Sequence, residues 1–132
     1  MALKKIIIVD DEPDIILSVK QFLEKSDDGY EIICTDSARQ CLDLLNKDQI
    51  PDLIILDIMM PEMTGWEFFD TLKENSSWAN IPVVFLTAKT DAYSKKFGSI
   101  SGNDYIKKPF DLKNLKERID KILKNTSQKQ SL

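Results

Sequence analysis

Five short apolar runs, at 5–9, 30–34, 52–56, 81–86 and 105–106, alternate along the chain with segments whose apolar residues recur at helical spacing. That alternation predicts a parallel β-sheet covered by helices. The runs IIIV (6–9) and LIIL (53–56) contain no polar positions, as expected of central strands buried on both faces. The first helical segment carries Pro13 where a first-turn proline is tolerated, then Ile15, Ile16, Val19, Phe22 and Leu23 on one face. The second carries Ala38, Cys41, Leu42 and Leu45, and the third opens on Thr64 and Glu67 at capping-box spacing before Phe68, Phe69 and Leu72. A fourth helix is expected over 91–97 from Ala92, Tyr93 and Phe97, with Gly98 closing it. The fifth has Asp111 as its N-cap and Leu112, Leu115, Ile119, Ile122 and Leu123 at helical intervals. The predicted fold class is α/β, an open doubly wound sheet of five parallel strands with five helices on both faces.

A chain of 132 residues is the size of one domain, expected over 1–125, with a polar, disordered tail over 126–132. Apolar residues make up 42% and charged residues 30%, the balance of a globular protein. The net charge of −4, from 22 acids against 18 bases, provides no positive field for nucleic acid. The apolar runs are too short to span a bilayer and MALKK has no leader-like apolar stretch, so a cytoplasmic protein without membrane contact is expected. Cys34 and Cys41 have neither metal-ligand nor redox spacing and are expected as small core residues. Histidine is absent, which removes Ser-His and Cys-His nucleophile pairs and the usual zinc sites. Chemistry must rest on carboxylates, hydroxyls and lysines.

Open α/β sheets bind ligands outside the carboxyl ends of their strands, where strand order reverses. Here the first strand ends in Asp10 and Asp11, the third in Asp57, the fourth in Thr87, and the fifth runs into Lys107 and Lys108 before Pro109. The second ends in Cys34 and contributes nothing ionisable. Each residue has an ordinary explanation: a turn or helix cap for the acids, a β-branched strand residue for Thr87, a solvated charge for Lys108. A parallel sheet nevertheless brings all of them to one edge. Three converging carboxylates repel one another unless positive charge is supplied. Magnesium is the natural choice, being held by one or two carboxylates together with phosphate oxygens. Asp57 is then the acid available to attack phosphorus, Lys108 the ammonium that offsets developing charge, and Thr87 a hydroxyl donor. An aspartyl phosphate site is expected.

The stretches IIIVDDEP, LIILDIMMPEMTGWEF, VVFLTA and DYIKKPF, in this order, resemble the CheY-like receiver domain of two-component response regulators. The resemblance implies strand order 2-1-3-4-5 and a switch in place of a turnover enzyme. It also implies phosphoryl transfer to Asp57 from a histidine kinase or a phosphotransfer protein. Asp11 and Asp57 would ligate magnesium directly, Asp10 through water, and Ile58 through its carbonyl. Lys108, joined to Pro109 by a cis bond, would meet the phosphoryl group, with Lys107 facing solvent. Thr87 would swing towards the phosphoryl group and Tyr105 turn inward behind it. A downstream protein target is implied, with a monomer or a phosphorylation-dependent dimer as the working state.

Where the family usually has Gly-Ala-Asp-Asp-Tyr, this chain has Ser101, Gly102, Asn103, Asp104 and Tyr105, differing at the first three, and the interval from Thr87 to Tyr105 is a residue short. A haloacid dehalogenase would place a second Asp two residues after the first, and Met59 stands there. A scaffold that never meets phosphate usually lacks an acid or the lysine, and both are present. A fragment of a larger regulator or hybrid kinase is the other alternative. The resemblance implies that Met59 and Lys89, two residues after Asp57 and Thr87, flank the approach of the hydrolytic water; neither offers an acceptor to orient it, so slow self-dephosphorylation is expected.

Overall fold

The computed structural model describes residues 3–26, 29–60, 62–87 and 104–130. The chain runs β1 (Lys4–Val9), α1 (Pro13–Glu24), β2 (Tyr30–Thr35), α2 (Ala38–Asn46), β3 (Leu53–Asp57), α3 (Gly65–Glu74), β4 (Val83–Thr87), β5 (Asp104–Lys107) and α4 (Leu112–Gln130). All neighbouring strands are parallel, in the order β2-β1-β3-β4-β5. The expected helix at 91–97 lies outside the described residues, so the label α4 here belongs to the last helix of the expected five.

The unbroken apolar strands follow from a core on each face of the sheet. Ile7, Val9, Ile54, Leu56, Val83 and Phe85 pack with α2 and α3, against Cys41, Leu45, Phe68, Phe69 and Leu72. The alternate residues Ile6, Ile8, Leu53, Ile55, Val84 and Leu86 pack on the other face with Val19 and Leu23 of α1 and Leu115 and Ile119 of α4. A period of two thus sends successive side chains into different cores, and both must be apolar.

The helix ends follow local chemistry. Thr64 and Glu67 form the reciprocal capping box expected of them, and Ser37 accepts the Gln40 N–H at the start of α2. The Asp111 carboxylate accepts the N–H of Lys113 at 2.7 Å, as an N-cap should. Helix α4 continues to Gln130, past the boundary expected at 125. No Gly or Pro interrupts 124–130, so the backbone pattern outlasts the apolar one that ends near Leu123.

Two expectations are corrected. Cys41 is buried, but Cys34 is exposed. Its strand β2 lies at the sheet edge, where the burial of alternate positions is incomplete. That strand also ends at Thr35, one residue later than expected. Thr35 is buried, its hydroxyl donates to the Ile8 carbonyl at 2.9 Å, and its carbonyl accepts the Asp10 N–H. The second strand therefore helps to hold an acid it was not expected to touch.

Gly65 starts α3 against the end of β3. Its N–H donates to the Ile58 carbonyl at 3.0 Å, and a Cβ at this position would lie 2.6 Å from the Asp57 carbonyl oxygen. Backbone cannot yield as a flexible side chain can. Gly65→Ala is expected to destabilise the protein by about 1–3 kcal/mol, in the range of overpacked sites. Urea denaturation checks this, and an unchanged midpoint would show that α3 can retreat from Asp57 without cost.

Candidate functional site

In-register pairing puts Val9 beside Leu56 and Asp57 beside Leu86, so Asp10 and Asp57 leave adjacent strands at the same edge. Both are buried, at 0% and 2% exposure, although each is an acid. Asp11 and Glu12 follow Asp10 and are exposed. Carboxylate oxygens of Asp10, Asp11, Glu12 and Asp57 all fall within 4.8 Å of one another.

Part of the ordinary reading of these acids holds. Asp57 Oδ1 accepts the Met59 N–H at 3.1 Å, and Asp10 Oδ1 accepts the Glu12 N–H at 2.9 Å, so each carboxylate also stabilises its own turn. The remaining oxygens meet Lys108. Its Nζ lies 3.1 Å from Asp10 Oδ2, 2.9 Å from Glu12 Oε1 and 3.6 Å from Asp57 Oδ2. Lys107 is exposed, as expected of the neighbouring lysine, and the Lys108–Pro109 bond is cis.

One ammonium does not balance this set. Burial pushes the Asp57 carboxyl from its ordinary 3.8 up to about 6, and the charges of Asp10 and Asp11 add to the effect. Lys108 and the Met59 N–H pull the other way and are outweighed. For Lys108, burial favours the neutral amine, but hydrogen bonds to Glu12 and Asp10 and the charges of Asp10 and Asp57 exceed it, so its pKa is raised. The donors left to a ligand are hard carboxylate oxygens around a shortage of positive charge. They fit a small divalent cation such as magnesium. The Ile58 carbonyl, already accepting from Gly65, retains one lone pair for such an ion.

The structure brings Asp10, Asp11, Asp57 and Lys108 together and adds Glu12, which the sequence reading missed. The available signal was its place between Asp11 and Pro13, at the start of α1. The backbone of Thr87 ends β4 in register with Lys107. Tyr105 is half-buried against the core that contains Phe85, and its carbonyl accepts from Arg118 Nη1 at 3.0 Å. Arg118 also pairs with Asp104 at 2.9 Å, which ties β5 to α4. Lys89 and 101–103 lie outside the described residues. Among the described residues, no helix is long and apolar enough to cross a membrane.

The family model described as "Response regulator receiver domain" matches residues 6–120. Response regulator SaeR of Staphylococcus aureus is 35% identical over 119 residues, covering 89% of this chain and 50% of that protein. The chain thus spans about half the length of the curated relatives it matches. Among solved structures, the N-terminal domain of a response regulator receiver protein from Methanoculleus marisnigri JR1 is 39% identical, with a TM-score of 0.70 over 92% of this chain and 98% of that one. The chemotaxis response regulator CheY4 of Vibrio cholerae is 30% identical, with a TM-score of 0.79 over 92% and 99%.

The raised Asp57 pKa has a signed consequence. The folded state holds the proton more tightly than the unfolded chain, so the contribution of Asp57 to stability falls as pH rises from about 4 to about 6 and stays low above that. In metal-free buffer, Asp57→Asn is expected to stabilise the fold at pH 7 by about 2–3 kcal/mol, with no gain below pH 4. Urea denaturation in chelator at several pH values measures the difference, and a gain that does not vary with pH would contradict the assignment.

Proposed function

This chain belongs to the response regulator receiver domain family of two-component systems, and we propose on that footing that Asp57 accepts a phosphoryl group and thereby switches the binding of a protein partner. The observation that carries the reading is the buried Asp57 carboxylate, held within reach of Asp10, Asp11 and Lys108. Donor and target follow the family: a histidine kinase or phosphotransfer protein upstream, and a protein target downstream.

An Asp57 oxygen forms the bond to phosphorus while the bond from phosphorus to the donor atom breaks, and the leaving group departs with that electron pair. Asp57 is the nucleophile because burial and neighbouring acids raise the energy of its ionised form. Its Oδ1 is already oriented by the Met59 N–H, which leaves Oδ2 facing Lys108. Lys108 meets the charge gathering on the phosphoryl oxygens. Asp10, Asp11 and Asp57 are the residues that would hold magnesium, with the Ile58 carbonyl as a candidate backbone ligand. When bound, the ion supplies the positive charge that the acids lack and screens the approach of anion to anion. Thr87 and Tyr105 are assigned the relay of the event to the surface. The domain serves either as a single-domain regulator or as the receiver part of a longer regulator or hybrid kinase.

With magnesium and acetyl phosphate, the wild type is expected to gain one phosphoryl group and Asp57→Asn none, read by intact-mass spectrometry. Equal labelling of the two would move the acceptor elsewhere. No labelling of either would favour a scaffold that works without phosphate.

Persistence of the label depends on what can orient water opposite the leaving carboxylate. Met59 is 54% exposed and its side chain presents no oxygen or nitrogen there. Lys89, while charged, is no base. Slow release of phosphate is therefore expected, with faster release from a Met59→Asn, Lys89→Glu variant. A wild type that decays as fast as the variant would refute the side-chain explanation.

A further inference from the structure

Resting on the reading of Asp57 as phosphoacceptor beside a divalent cation, we propose that Glu12 is a positioning residue that parks the Lys108 ammonium away from Asp57 and keeps that carboxylate open to the cation. Lys108 makes hydrogen bonds to Glu12 Oε1 at 2.9 Å and Asp10 Oδ2 at 3.1 Å. Its distance to Asp57 Oδ2 is 3.6 Å, an ion pair without a close hydrogen bond. The lysine thus leans on Glu12, an exposed acid, and stands back from the buried acid that carries the chemistry.

Glu12 is placed for this and has no capping duty. It occupies the N-cap of α1, yet its side chain makes no capping hydrogen bond, and the N–H of Glu12 is satisfied by Asp10. Pro13 restricts the residue before it to extended backbone, and Glu12 has φ −99° and ψ 106°. The side chain of Glu12 is 57% exposed, so it keeps much of its hydration and can release the lysine readily. Without this contact, the ammonium keeps ion pairs with Asp10 and Asp57 among the described residues, and a small shift would close it onto Asp57. The lysine would then compete with the cation for the same oxygens.

The inference is tested by calorimetry of magnesium binding to wild type, E12D, Lys108→Ala and their double variant, with circular dichroism confirming that each folds. E12D keeps the charge but shortens the reach. It is expected to weaken magnesium binding about three- to fivefold, the scale of one partly exposed ion pair, and to have no effect once Lys108 is removed. If Lys108→Ala does not fold, Lys108→Gln takes its place in the cycle. Wild-type affinity in E12D would overturn the proposal, since charge without reach would then suffice. A loss that persists without Lys108 would overturn it too, because Glu12 would be acting on the ion itself. A wild type that binds no magnesium would overturn the underlying reading of the site together with this inference.

Discussion

Burial of two carboxylates side by side, at the ends of adjacent apolar strands, is the constraint on which the rest of this molecule turns. Asp10 and Asp57 are almost wholly buried, and the charge of Asp10 raises the energy of ionised Asp57. One ammonium, shared with an exposed glutamate, relieves part of that cost. What remains is a deficit of positive charge at a fixed place. A divalent cation can fill it, and a nucleophilic carboxylate can use it.

The scaffold makes this arrangement durable. Parallel register fixes the spacing of Asp10 and Asp57, and two cores clamp the strands from both faces. Thr35 pins the backbone of Asp10 from one side. On the other, α3 is docked through Gly65 against the Asp57 carbonyl, and its first turn is closed by the capping box of Thr64 and Glu67. Little side-chain freedom is left at the acids, so their repulsion cannot be relaxed by moving them apart.

Much of this was legible in the chain because both signals are coarse and local. Strands without alternation announced burial on two faces, and the acids and Lys108 at strand ends were brought together by parallel topology alone. Helix caps at Thr64 and Asp111 were equally plain, since their spacing is set within a single turn. Exposure of Cys34 was not legible, because the apolar run of the second strand does not itself say which of its positions an edge leaves uncovered. Glu12 was hidden for a different reason. An acid before a proline at a helix start has an ordinary explanation, and only the fold brings Lys108 to it from the far end of the chain. The length of the last helix was missed because its apolar stripe ends before its backbone does.

Asp57 carries a proton affinity raised by burial and by its neighbours, and a divalent cation would remove that strain. Carbon-13 NMR of the labelled Asp57 carboxyl, titrated with and without magnesium, measures this directly. A midpoint near 6 is expected in the metal-free protein, with a clear fall when magnesium is present. A midpoint near that of an ordinary aspartate in both conditions would contradict it.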